Sequence, residues 1–213
     1  SFVTDVLSDE AFLESLEAKA TAIATYGASN GLAQIVLKVA SPGVADTYQG
    51  SETWDLRLVD PDNRSAVDYA RLRADLASLD GADMHELVAG FRDGRVKLHV
   101  VSRALRLRRA MPRLFIDGDY RPIDAGDEIV AFVREHDVGA IACAATRLPY
   151  RVTGGCAPWA CGDIWGDRTI AIPEGRWRDA LVNDRELVVG ADGIPAAELF
   201  RHLPVALLVS VSG

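Results

Sequence analysis

Apolar positions recur at helical spacing through most of the first half of the chain. Phe12, Leu13, Leu16, Ala20 and Ile23 lie three or four residues apart or side by side, which puts them on one side of a helix. Ser8 can cap that helix, with Asp9 and Glu10 at the positive end of its dipole. Gly27 is a plausible stop. Asn30 can cap a second helix carrying Leu32, Ile35, Val36 and Val39, ended by Ser41, Pro42 and Gly43. The run 44–48 is short, bounded by glycines and apolar at its start, and reads as a buried strand. Helices are expected again over 67–79, with Tyr69, Leu72 and Leu76 on one side, and over 84–91. The strongest helical pattern is 96–111, with Val96, Val100, Ala104, Leu107 and Met111 as an apolar stripe.

Pro112 ends that helix and the pattern changes. Short strand-like runs follow at 128–134, 138–145, 168–172, 186–189 and 205–211. Between them lie the turn signals Asp117-Gly118, Gly154-Gly155, Glu174-Gly175 and Asp192-Gly193. This spacing predicts an antiparallel sandwich or small barrel. The expected organisation is an α/β part, 1–112, followed by a β part, 113–213.

Composition narrows the function classes. The chain has 213 residues, 49% hydrophobic and 25% charged, ordinary values for a globular protein. A net charge of −8 argues against an extended nucleic-acid footprint and against anionic membranes. No apolar run is long enough to span a bilayer, and no secretory signal pattern is visible. The three cysteines, Cys143, Cys156 and Cys161, have no framework spacing. They are expected as reduced thiols in a cytoplasmic protein. The start at Ser1-Phe-Val, opening into the middle of an α/β pattern, suggests part of a longer polypeptide.

Metal chemistry finds little support. Asp60-Pro-Asp62-Asn63 begins like a calcium loop, but Arg64 and Ser65 stand where a ligand and a glycine are needed. A second such run, Asp117 to Glu128, has Arg121 at the ligand place and Pro122 at the glycine place. Cys156-x₄-Cys161 lacks a second pair or a nearby His. The four histidines, His85, His99, His136 and His202, are scattered. Arg103, Arg106, Arg108 and Arg109 suit a helix C-terminus and, in an acidic chain, a solvated helix face. Trp159, Trp165 and Trp177 are placed for core packing, with sugar stacking as the alternative.

One stretch concentrates chemistry. Residues 46–64 hold Glu52, Trp54, Asp55, Asp60, Asp62 and Arg64 directly after the expected strand. Carboxylates and Arg for hydroxyls, with an aromatic for a ring face, make a sugar-binding surface. A solvated loop tied down by Asp–Arg pairs explains the same residues.

The same stretch carries a family resemblance. "SPGVADTYQGSETWDLRLVDPDNR" resembles the last barrel strand and following loop of the α-amylase superfamily, glycoside hydrolase family 13. More narrowly it is similar to the maltooligosyltrehalose synthases. The similarity continues through "VDYARLRADLASL", "ALRLRRAMPRLFIDGDYRPI", "IVAFVRE", "WGDRTIAIPEGRWRDAL" and "LPVALLVSV". Upstream, "SDEAFLESLEA" and "NGLAQIVLKVASPG" match the preceding helices. The resemblance implies the C-terminal end of a (β/α)₈ barrel and then an antiparallel β-sandwich domain. It implies an isomerase of trehalose biosynthesis that turns the reducing-end α-1,4 linkage of a maltooligosaccharide into an α,α-1,1 linkage, without metal or organic cofactor. The superfamily's catalytic carboxylates fall before Ser1 in this register, so the upstream barrel segment becomes the implied partner. Asp60 and Arg64 match the sugar-binding Asp and Arg of related glucan-transferring enzymes, and Tyr48 and Trp54 are candidate cleft walls. Glu52 is expected to anchor the loop to the barrel. A non-catalytic glucan-binding module, or part of another amylase-fold hydrolase or transferase, remains the alternative.

Overall fold

The computed structural model describes residues 1–58, 60–61, 64–157, 159–183 and 185–211. Helices come first: α1 (Phe2–Val6), α2 (Glu10–Ala40), α3 (Tyr69–Ala77), α4 (Met84–Ala89), α5 (Arg95–Ala110) and α6 (Pro112–Asp117). Strands follow: β1 (Asp119–Ile123), β2 (Ile129–His136) and β3 (Gly139–Thr146). After the short α7 (Pro149–Thr153) come β4 (Thr169–Ile170), β5 (Gly175–Asp179), β6 (Glu186–Val189), β7 (Ile194–Pro195), α8 (Ala196–Leu199) and β8 (Val205–Ser210). Six strands form one antiparallel sheet in the order β1-β2-β3-β8-β5-β6, and β4 and β7 form a separate two-stranded ribbon.

The central strands are buried on both faces, so they read as near-continuous apolar runs. Their alternation still sorts two cores. Phe132 of β2, Ile141, Cys143 and Ala145 of β3, and Val205, Leu207 and Val209 of β8 face the helices. There they meet Leu32, Val36 and Val39 of α2, Val100, Ala104 and Leu107 of α5, and Phe115 of α6. Ile129, Ala131 and Val133, Ala142 and Ala144, and Ala206 and Leu208 face the other way, onto Trp165, Trp177, Ile170, Leu199 and Phe200. On that face the sheet is covered by the β4–β7 ribbon and short helical turns.

Several expectations need correction. Two helices were expected where α2 is one helix of 31 residues, capped by the Asp9 side chain accepting from the Phe12 amide at 3.0 Å. Only its second half is buried, through Ala28, Ser29, Leu32, Ala33, Val36, Val39 and Ala40. The run 44–48 joins no strand, and Val44 is 95% exposed. A strand needs a hydrogen-bonded neighbour, and none lies there among the described residues. Its approach is fixed instead by Arg108, which donates to the carbonyls of Val39 (2.6 Å) and Gly43 at the end of α2. β1 and β5 carry charged or polar exposed residues, so the apolar runs did not announce them.

Buried polar groups stitch the layers. Arg134, 1% exposed, donates from Nη1 to the Phe115 carbonyl (2.9 Å) and from Nη2 to that of Gly118 (2.7 Å). It thus satisfies the C-terminal end of α6. His99 of α5 donates from Nε2 to the Leu181 carbonyl at 2.7 Å, and burial pushes its pKa down. Asp179 pairs with Arg185 at 2.9 Å, and that guanidinium also reaches the carbonyls of Leu199 (3.3 Å) and Glu198.

Candidate functional site

The loop between α2 and α3 rests on a fixed base. The Trp54 indole lies against Gly31 of α2, where a Cβ would stand 3.1 Å from the ring. Its Nε1 donates to the Phe91 carbonyl at 2.5 Å. Lys97 of α5 sits 5.5 Å from the ring centroid and donates to the Thr53 carbonyl at 2.8 Å. Gly94, at φ +84°, opens α5 beneath Thr53, and a Cβ there would fall 2.7 Å from the Thr53 Cβ. Only glycine allows both the left-handed backbone and that approach.

Above this base lies a cleft of about 490 Å³, open to solvent, bordered by Trp54, Asp55, Arg57, Val67, Asp68 and Arg71 among others. Asp55 accepts from Arg57 Nε at 2.7 Å, from Nη2 at 2.6 Å and from the Arg57 amide at 3.1 Å. These bonds hold its carboxyl down at about 2, well below its ordinary 3.8. Arg71 pairs with Asp75 at 3.5 Å along α3.

Of the four residues expected to touch substrate, Trp54 alone borders this cleft. Asp60 and Arg64 form a two-pronged pair with both contacts at 2.5 Å, and their side chains are 58% and 74% exposed. Tyr48 is 71% exposed. Glu52 turns inward, with Oε2 buried and without a hydrogen-bond partner among the described residues. Asp62 lies outside the described residues. Sequence reasoning missed the Asp55–Arg57 clasp and Lys97. A spacing of two in an extended segment puts both side chains on one side, so the clasp was detectable.

Other candidates resolve into packing. Trp159, Trp165 and Trp177 are 9%, 6% and 3% exposed. Trp165 donates to the Ala160 carbonyl and Trp177 to that of Pro173, both at 2.9 Å. The three cysteines are free thiols, and burial pushes Cys161 up to about 12. Among the described residues no group of three His, Cys, Asp or Glu could hold a metal ion, and no helix is long and apolar enough to cross a membrane.

No family model matches the chain. Two curated relatives from Mycobacterium tuberculosis, strains CDC 1551 and H37Rv, named as maltooligosyl trehalose synthases, are each 36% identical over 211 residues. The match takes in 96% of this chain and 24% of each relative, so the chain spans about a quarter of their length. Among solved structures, maltooligosyltrehalose synthase from Arthrobacter ramosus is 38% identical, with a TM-score of 0.78, and 0.81 for a mutant of it. Each match covers 98% of this chain and 26% of that one. A gamma-CGTase from alkalophilic Bacillus clarkii, 15% identical with a TM-score of 0.53 over 87% of this chain, shares the fold alone. Over nearly its whole length the chain is thus homologous to the C-terminal portion of the maltooligosyltrehalose synthases.

Proposed function

We propose that the chain is the C-terminal part of an intramolecular transglucosylase that converts the reducing-end α-1,4 linkage of a maltooligosaccharide into an α,α-1,1 linkage. The observation that carries this reading is 36% identity over 96% of the chain to relatives named for that synthase. In it, residues 1–112 complete a (β/α)₈ barrel, 113–213 form the β domain, and the barrel's upstream segment supplies the three catalytic carboxylates. The enzyme acts in the cytoplasm without a cofactor.

Two features of the chain support it. The first half of α2 carries Phe12, Leu13, Leu16 and Ile23 on its surface, 37–58% exposed. With Leu56 and Leu58, 91% and 76% exposed, they offer apolar area to a large partner. The 46–68 loop carries Trp54 at the edge of an open cleft and presents the Asp60 and Arg64 side chains to solvent, chemistry that can hold a glucan. In this reading Asp60 and Arg64 contact sugar hydroxyls, and Tyr48 joins Trp54 in walling a larger glucan cleft that the upstream barrel segment completes.

The test uses the polypeptide that carries this chain behind its barrel, with maltopentaose as substrate. Loss of reducing ends without matching glucose release is expected. Glucose release as the main outcome would point to an amylase-fold hydrolase. Glucan binding without turnover would favour the non-catalytic module.

A further inference from the structure

The 46–68 loop is clasped at its middle. The Arg57 guanidinium is held by Asp55 through Nε and Nη2, at 2.7 and 2.6 Å, and its Nη1 donates to the Ser65 carbonyl at 3.3 Å. One side chain therefore joins position 57 to position 65 across the segment that carries Asp60 and Arg64. The Asp55 and Arg57 side chains are 25% and 26% exposed, whereas those of Asp60 and Arg64 are more than half exposed. Exposed ion pairs hold geometry weakly. A shielded, two-pronged pair fixes the plane of the guanidinium as well as its place.

We infer that Asp55 is a positioning residue for the Asp60–Arg64 pair: it locks Arg57, and Arg57 latches the segment at Ser65. The inference rests on the sugar-contact reading above. Asp55 does not touch sugar in this scheme. It holds Arg57 and Ser65 together on either side of Asp60 and Arg64, so these two side chains are presented before sugar binds. The clasp stays ionised through the working pH range, because Arg57 holds the Asp55 carboxyl down at about 2. Lys97 secures the base of the same loop from α5, through the Thr53 carbonyl. If the latch opens, apparent affinity falls by the fraction of molecules still in the competent arrangement.

The experiment is a double-mutant cycle in the complete enzyme, with maltopentaose as substrate and melting temperature read on the same preparations. Asp60→Ala removes charge-assisted bonds and is expected to lower kcat/KM about 10- to 100-fold, mostly through KM. Asp55→Ala is expected to raise KM about five- to tenfold with kcat nearly unchanged, as a partly populated competent state requires. Asp55→Asn, which keeps the shape and lacks the charge, should show a smaller rise and serves if the Ala variant folds poorly. In the Asp60→Ala background the Asp55 substitution should raise KM by less than it does in the parent, since part of its effect runs through Asp60. Multiplying effects in the double variant would overturn the positioning role. So would an unchanged KM in the Asp55 variants beside a raised one in Asp60→Ala. An unchanged KM in Asp60→Ala itself would sink the sugar-contact reading, and the inference with it.

Discussion

At the scale of single residues, charged side chains in this chain are mostly fasteners. Arg103 and Arg108, which the sequence places on a solvated helix face, reach Asn183 and the end of α2 respectively. Their types and positions were legible, but their partners lie 80 and 69 residues away in the chain, and only folding chooses them. Asp55 and Arg57 are near neighbours, so their pairing was within reach of the sequence. It also yields a pH prediction. The Asp55 pKa is lowered from 3.8 to about 2 in the folded state. A depressed carboxylate contributes stability that is fully present above its unfolded pKa and is lost as pH falls through the folded one. The melting-temperature gap between the parent protein and Asp55→Asn should therefore hold above about pH 4 and shrink towards pH 2. A gap that stays constant across that window would remove the charge of Asp55 as its cause.

At the scale of elements, α2 shows how local signals are outvoted. Gly27 and Asn30 read as a stop and a new start, yet the helix runs through both. A mid-helix glycine costs only about 1 kcal/mol relative to alanine. Burial of Leu32, Val36 and Val39 along the same axis outweighs it. Two glycines one turn apart then behave differently on substitution. At Gly27 a Cβ meets nothing within 4 Å, so Gly27→Ala should stabilise by about 0.5–1 kcal/mol. In a protein of this size that is a rise of a few degrees in melting temperature. At Gly31 a Cβ would press on Trp54 at 3.1 Å, so Gly31→Ala should gain nothing or lower the melting temperature. Thermal melts of the two variants check this, and equal gains would mean that Trp54 does not pack there. The absent strand at 44–48 follows the opposite logic. A strand is a property of two segments, and no second segment pairs with it among the described residues.

At the scale of the whole molecule, helices and sheet share one core. Phe132, Ile141, Leu207 and Val209 are covered by α2, α5 and α6. Separating the chain at 112/113 would expose that face on the β side and the matching helix faces on the other. Each fragment alone is expected to self-associate and to melt without a sharp transition, and co-expression should restore a single cooperative unit. Size-exclusion chromatography with calorimetry reads the outcome. A monomeric, cooperatively melting 113–213 fragment would show that the sheet does not depend on the helices.

The sequence by itself determined the helix-then-strand order, the apolar faces and, through motifs in a fixed order, the likeness to the C-terminal portion of maltooligosyltrehalose synthases. These depend on spacing and residue type, which are local. It also marked the 46–64 stretch as chemically dense. Tertiary structure decided what those residues do for one another. It fused two expected helices into one and found β1 and β5 beneath charged residues. It also set Asp55, Arg57 and Trp54 on one cleft while leaving Asp60, Arg64 and Tyr48 outside its lining. The physical reason is that burial and hydrogen-bond partners are set by segments distant in the chain, and no local pattern encodes which segment will arrive.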